Sequence, residues 1–529
     1  MSAEGFREFL DRLHTGGQLR ELHQPVDLAH LPALVDAAAP ALCLRHPIGY
    51  SMPVVCGLVR TSERMLLATG AASMAELGAR VAMAVERPVA PQMISGAAPQ
   101  QIVRRGADVD LFDLPVPLSA VHDGAPTITA GVVIARDPEH GLNAGVYRLM
   151  VKQKNVTGID IVTPNNLRRF AERALARGES LPISISIGVH PIDMLGAGYR
   201  SPLGIDELSI AGGLRGAPVG LAPCTDSDLP YLADAEIVLE AEILPTGWTH
   251  PEGRFGEFTR LMGALHWNPL VRVNTIRMRA EPIFYALHMP WENIWLGAPT
   301  RYGAIARALD VAGVAWKDIN VTMGGCAFWH AVIAIRKQAG EGKNALLAAL
   351  SVMDLKHVTV VDDDIDVFDP TAVEFAVATR MQADRDVVII SNARAKPLDP
   401  SLPPTPGRVP TTAKMGIDAT IPEGMPRERF ELIAYPRAGQ LDVARYLAGA
   451  ADPVGASADA RASVLEVVGI APIYYAELQE KLRGFSFRAI TQAVGALNAE
   501  GLLWQDRQGR LCLPGDARAA VAPVSATPS

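Results

Sequence analysis

Few cysteines, no long apolar run and no surplus of positive charge narrow the field before any motif is read. The 529-residue chain has five cysteines, Cys43, Cys56, Cys224, Cys326 and Cys512, scattered and odd in number. No Cys-x-x-Cys pair occurs, which argues against a disulfide framework and against a zinc knuckle. No uninterrupted apolar stretch reaches the roughly 18 residues that a membrane span needs. The opening segment lacks a basic stretch followed by an apolar one, so a secretory signal is not expected and the chain reads as soluble and cytoplasmic. A net charge of −8 disfavours nucleic acid and anionic membranes as partners. P-loop, Gly-x-Gly-x-x-Gly, Gly-x-Ser-x-Gly and His-Glu-x-x-His motifs are all missing, as is any internal repeat.

What is present is an ordinary globular composition, 49% apolar and 20% charged, on a chain long enough for two or three cores. Residues 1–115 mix amphipathic helices (5–14, 31–39, 73–85) with short apolar strands such as 54–58, as in a small α/β domain. A proline-rich run at 114–118 punctuates the chain. Over 116–290 the pattern becomes many short β-branched runs, at 128–136, 144–152, 181–188, 235–243, 270–278 and 281–287. These predict an antiparallel sheet or barrel, interrupted by one helix over 165–177. Residues 291–450 return to α/β alternation. Helices at 345–353 and 373–382 lead into apolar strands at 357–361 and 386–390, the rhythm of a parallel sheet, and 395–408 is a proline-rich loop. Helices over 463–468, 473–482 and 487–500, then a hairpin over 502–513 turning at Gln508-Gly509, predict a winged-helix-like module within 460–515. Its third helix has one basic residue, Arg488, which favours protein contact or dimer capping over DNA reading. Composition makes 516–529 a disordered tail.

Two segments carry chemistry. Asn143-Ala-Gly-Val-Tyr-Arg148 ends on an arginine inside an apolar strand, whose charge needs a partner. That partner is either an inter-strand acid or a substrate carboxylate. Pro251-Glu-Gly-Arg-Phe-Gly-Glu257 sets two carboxylates around glycines. Two acids near one arginine can hold different protonation states, one ionised against the guanidinium and one kept neutral by an apolar site. Such a set suits chemistry on a carboxylic acid.

Both segments resemble motifs of the UbiD-like decarboxylases, Asn-x-Gly-x-Tyr-Arg and Pro-Glu-Gly-Pro-Phe-Gly-Asp/Glu. Further similarity runs in the family's order through 204–216, 235–240, 357–369, 378–390, 395–401 and 413–420. The resemblance implies an α+β fold: an N-terminal α/β region, a central split β-barrel of flavin-reductase type, and a C-terminal α/β domain that forms homodimers or homohexamers. It implies prenylated FMN as cofactor, supplied by a separate flavin prenyltransferase, and reversible non-oxidative decarboxylation of an aromatic or heteroaromatic acid. A carboxylase subunit running toward CO₂ fixation and a non-catalytic assembly subunit are the alternatives.

By the same resemblance Arg148 clamps the carboxylate, Glu252 fixes Arg148, and Glu257 delivers the proton. Asn143, Gly145, Val146, Tyr147, Arg148 and Glu207 face the cofactor. Manganese or a similar divalent metal, with potassium nearby, holds the cofactor phosphate through Asn143, Glu207 and a histidine. This chain departs at the histidine, reading Thr163-Pro-Asn-Asn166, so Asn165, Asn166 or water takes the place; otherwise Lys152 and Lys154 replace the metal as counter-charge. Arg254 and Arg260 replace the usual proline and glycine, either as surface charges or to meet a second anionic group. His288 is either structural or a substrate contact, beside Trp291, Trp295 and Arg301. Asp362–Asp364 with Asp366 are structural acids, with no metal assigned.

Overall fold

The computed structural model describes residues 4–515 except 163, 202, 397, 404–409, 437–440 and 452–457. The expected tail at 516–529 lies outside the described residues, as do Thr163 and parts of the 395–408 loop. The chain is α+β and divides into two compact units, Met1–Met425 and Pro426–Ser529.

Six strands of the first unit close an antiparallel barrel. In hydrogen-bonded order they are Ile237–Ile243, Leu181–Ile187, Thr127–Asp137, Gly141–Gln153, Val156–Gly158 and Leu270–Met278, the last pairing back onto the first. Alternation along the strands explains the closure. Val133 and Ala135 join one buried core with Leu149, Ile183, Leu239 and Val273, while Val132 and Ile134 point into a second core shared with the N-terminal helices. Ile102–Arg105 adds an outer strand on Leu270–Met278. The apolar run at 281–287 pairs elsewhere. Phe284–Ala286 lies parallel to Val54–Cys56, in a sheet completed by Leu19–Leu22 and Ala41–Leu44.

The helix expected over 165–177 spans Asn166–Ala176, and Asn165 caps it by accepting from the Arg168 N–H at 2.8 Å. Helix Trp291–Val311 packs on helix Met74–Glu86 through Gly78, where a β-carbon would stand 1.9 Å from the Tyr302 ring.

The expectation of a parallel C-terminal sheet is corrected in part. His330–Ile335, His357–Asp362 and Thr411–Ala419 are parallel neighbours, but Trp316–Val321 and Val387–Arg394 run antiparallel at the two edges. At the first edge the reason is the connection: residues 322–329 turn the chain straight back from Val321 to His330, too short a link for the crossover that a parallel pair needs. Asp362 and Asp364 hold the buried Arg380 at 2.7–2.9 Å, a structural use of the acidic run. All five cysteines are buried, and among the described residues none forms a disulfide.

The second unit contains helices Arg461–Ile470, Tyr475–Lys481 and Phe487–Ala499, then the hairpin Trp504–Gln505 with Leu511–Cys512. Its core is Val464, Val468, Leu478, Ile490, Leu497 and Leu511. The second helix begins at Tyr475, later than expected, because Ile473 forms an antiparallel bridge to Leu511. This is a winged-helix-like order.

Candidate active site

Arg148 lies on barrel strand Gly141–Gln153. Glu252 ends the short strand His250–Glu252, which pairs with His266–Asn268 so that Glu252 stands opposite His266. Glu257 follows in a turn closed by Glu257 N–H to the Leu261 carbonyl (2.9 Å) and Gly263 N–H to the Phe255 carbonyl (2.8 Å). Two contacts bring this loop to the barrel. The Lys152 ammonium donates to the Pro251 carbonyl at 2.7 Å, and the Glu252 carboxylate packs on Gly158.

The acid that grips Arg148 is Asp160. Both Nε (2.8 Å) and Nη2 (2.5 Å) donate to Asp160 Oδ2, and the Asp160 N–H donates to the Arg148 carbonyl at 3.3 Å. Glu257 Oε1 lies 3.5 Å from Nη2. Glu252, expected to fix Arg148, is 1% exposed, and neither of its carboxylate oxygens has a hydrogen-bond partner among the described residues. Arg148 Nη1 is likewise buried without a partner among them. The guanidinium lies 4.6 Å from the centre of the Phe255 ring.

Burial sets the electrostatics. It pushes Glu252 and Glu257 above the usual carboxylate range; Arg148 pulls both down, and Asp160 pushes both up. Asp160 is held well below that range: burial would raise it, but His266 and Arg148 outweigh burial. His266 Nδ1 stands 3.8 Å from Asp160 Oδ1, and that carboxylate raises the imidazole. The site therefore contains a fixed ion pair, Arg148–Asp160, beside two carboxyls biased toward neutrality. It can bind an anion at Nη1 and donate a proton nearby.

Asn143 and Glu207 meet through one backbone group. The Ala144 N–H donates to Glu207 Oε2 at 2.9 Å, and Asn143 donates to the Ala144 carbonyl at 2.8 Å. Asn143 Oδ1 is buried with no partner among the described residues, and burial pushes Glu207 up to about 7. The residues between them in the motif line the same strand. Gly145 packs against the Tyr147 ring, Val146 packs on the core shared with the N-terminal helices, and the Tyr147 hydroxyl donates to Asn165 Oδ1 at 3.4 Å. That Asn165 oxygen thus serves both the helix cap and Tyr147. Asn166 donates to the Ser201 carbonyl instead. Lys152 lies beside Glu252, and Lys154 donates to the Ala107 carbonyl. Among the described residues no group of three His, Cys, Asp or Glu could hold a metal ion.

A cationic cluster was not legible in the sequence. Asp354 is approached by Lys396 (3.2 Å), Arg200 (3.5 Å) and Arg301 (3.6 Å). Burial pulls Lys396 down to about 7 and Arg301 to about 9, Asp354 opposing it in each case. Arg301 lies over Phe328 at 3.3 Å, and Phe328 stacks on Phe258, the residue after Glu257. His288 is pulled by burial to about 4 and stays neutral, 3.6 Å from Asp36. Glu292, fully buried, accepts from Gly57 N–H, Val59 N–H and the Tyr285 hydroxyl and ties the N-terminal sheet to the long helix. Trp291 donates to Asp36 at 3.0 Å. Arg254 donates to the Gly263 carbonyl, and Arg260 lies near Trp291. A cavity of about 780 Å³, lined by Tyr50, Met52, Phe112 and Met278, is formed by none of these site residues.

A barrel that gathers an arginine and three acids marks an enzyme acting on carboxylic acids. The chain belongs to the UbiD family of carboxy-lyases. Residues 92–290 match the 3-octaprenyl-4-hydroxybenzoate carboxy-lyase Rift-related domain, and 294–419 match the corresponding C-terminal domain. It is 33% identical to the anhydromevalonate phosphate decarboxylase of Methanothermobacter thermautotrophicus, over 81% of this chain and 99% of that one. Among solved structures it resembles the UbiD-class enzyme HmfF from Pelotomaculum thermopropionicum in complex with FMN. That match has a TM-score of 0.79 and 37% identity, covering 84% of this chain and 100% of the other. An evolved dimeric form of HmfF in complex with prFMN matches with a TM-score of 0.76 and 34% identity, over 84% and 100%. The 3,4-dihydroxybenzoic acid decarboxylase of Enterobacter cloacae matches with a TM-score of 0.75 and 26% identity, over 83% and 99%.

Proposed function

We propose that this chain catalyses reversible, non-oxidative decarboxylation of an unsaturated carboxylic acid with prenylated FMN as cofactor. The observation that carries the reading is the buried Nη1 of Arg148, unpartnered among the described residues, near Glu252 and Glu257, whose carboxyls burial pushes above the usual range. Arg148 binds and orients the carboxylate through Nη1, while Asp160 and Phe255 fix the plane of the guanidinium. When bound, the cofactor supplies an electron sink for the charge left as CO₂ departs. Glu257, whose carboxyl burial pushes above the usual range, delivers its proton to the vacated carbon and takes one back in the carboxylating direction. Glu252 stays buried behind Arg148 as a second carboxyl in the same field.

Asn143 and Glu207 fit a hard cation such as manganese, with potassium alongside, that would hold the cofactor phosphate. The support is the Asn143 oxygen, unpartnered among the described residues, and a Glu207 carboxyl that burial pushes up to about 7. Water or a released Asn165 completes the shell. Supply of the cofactor by a flavin prenyltransferase, a homodimer or homohexamer, and a cytoplasmic setting belong to the same reading. No helix among the described residues is long and apolar enough to cross a membrane.

An aromatic or heteroaromatic acid is the first substrate reading, supported by the dihydroxybenzoate-acting neighbour. A second reading, a non-aromatic acid with a phosphate or other second anion, is favoured by the cluster of Arg200, Arg301 and Lys396 around one aspartate. The relative named for anhydromevalonate phosphate points the same way.

The test is co-expression with a prenyltransferase, a decarboxylation screen over both classes of acid, and the variant Glu257→Gln. Glu257→Gln should retain bound flavin and less than about a hundredth of wild-type rate, the size of effect a lost general acid produces. A rate above that overturns the assignment of Glu257. Exchange of labelled bicarbonate into substrate reads the reverse direction.

A further inference from the structure

We propose that Asp160, which faces His266, is the positioning residue of this site: it occupies the Nε edge of Arg148 and so reserves Nη1 for the substrate carboxylate. The inference rests on the decarboxylase reading above and deepens it.

Asp160 follows the short barrel strand Val156–Gly158 that bonds to the strand of Arg148. It is fastened to Arg148 twice, by its own N–H to the Arg148 carbonyl and by Oδ2 to both Nε and Nη2. An arginine held through Nε cannot rotate its fork, so the remaining donor keeps one direction. Asp160 Oδ1 accepts from Val162 N–H at 3.3 Å and faces His266 Nδ1, buried without a hydrogen-bond partner among the described residues, at 3.8 Å, within reach of an ion pair.

The competing acid is Glu257, 3.5 Å from the same Nη2. Were Asp160 uncharged, Arg148 would have Glu257 as its near counter-ion and would hold it ionised, unable to donate a proton. With Asp160 ionised, the guanidinium charge is already matched. The groups facing Glu257 are Arg148, His266 and Lys396, which favour its ionised form, and Asp160, which opposes it. Those facing Asp160 are Arg148 and His266, with Glu252 and its neighbour Lys152 in the same field. His266 therefore works against Asp160: its positive charge weakens the repulsion by which Asp160 raises Glu257.

Opposite displacements follow. A general acid is active while protonated, so activity falls as pH rises through its titration. Asp160→Asn removes the charge that favours protonated Glu257, so the alkaline limb of kcat should move to lower pH by about one unit. KM should rise at least about tenfold as the fork loosens. His266→Gln removes an opposing cation, so the limb should move to higher pH. Asp160→Glu, which keeps the charge, should restore the limb in part. A purely structural role for Asp160 would lower kcat without moving the limb.

Unloaded protein gives a second measurement. The His266 imidazole, assigned with His266→Gln, should titrate above the ordinary 6.5 in the wild type and drop in Asp160→Asn, read by ¹⁵N-histidine NMR. Equal titration in both proteins overturns the pairing, whether or not any acid is decarboxylated. An unmoved limb, or limbs shifting the same way in Asp160→Asn and His266→Gln, overturns the positioning role while leaving the decarboxylase reading intact.

Discussion

A methyl group on the α-carbon of Gly158 would stand 2.2 Å from Glu252 Oε2. The absent side chain is what leaves room for the Glu252 carboxyl against the barrel strand Val156–Gly158. Gly158→Ala should displace Glu252 and lower kcat at least about tenfold, at an overpacking cost of about 1–3 kcal/mol in stability. Steady-state rates beside a denaturant titration check this. Unchanged kcat would mean that the position of Glu252 is immaterial.

Arg148→Lys keeps the charge but not the fork. A single ammonium cannot accept the Asp160 hold at two nitrogens and still present a third donor to substrate. We expect kcat/KM to fall by about a hundredfold or more, comparable to losing a preorganised donor. Full rescue by lysine would reduce Arg148 to a counter-charge.

Glu207→Ala should release flavin from purified protein, because it removes one of the two oxygen donors that suit a hard cation. A chelator should strip activity from the wild type and manganese should restore it. Metal analysis of active, flavin-loaded protein decides the matter: less than about a tenth of an equivalent of divalent metal would overturn the assignment.

Lys396→Met tests the second substrate reading. If the cluster at Asp354 receives a second anionic group, KM for a phosphorylated acid should rise at least about tenfold, the loss of about one charge-assisted hydrogen bond. KM for a mono-acid should stay within about twofold. An equal rise for both acids assigns Lys396 to the cofactor or to Glu257.

Much of the site was visible because its residues break local rules. Arg148 is a charge in an apolar strand, and Glu252 and Glu257 are acids between glycines. Asp160 breaks the same rule in the run Gly158-Ile-Asp-Ile-Val162, but its meaning depends on the strand pairing that sets it beside Arg148. Glu252 was assigned to hold Arg148, yet its position opposite His266 leaves its oxygens away from the guanidinium's hydrogen bonds. Asn165 and Asn166 were grouped as candidate ligands. One became a helix cap and the other a link to Ser201, since an asparagine before a helix satisfies open N–H groups first.

The sequence by itself determined the α+β class, five of the six barrel strands and the family. Each is encoded locally, in two-residue alternation, turn residues and contiguous motifs. Only the tertiary structure decided that Phe284–Ala286 leaves the barrel for a strand near residue 55, that the C-terminal sheet has antiparallel edges, and that Asp160 rather than Glu252 holds Arg148. It also decided that Lys396, Arg301 and Arg200 share Asp354. These are pairings between distant segments, set by which backbone edges remain to be hydrogen-bonded and which buried charges must find a counter-charge. Local periodicity does not encode either.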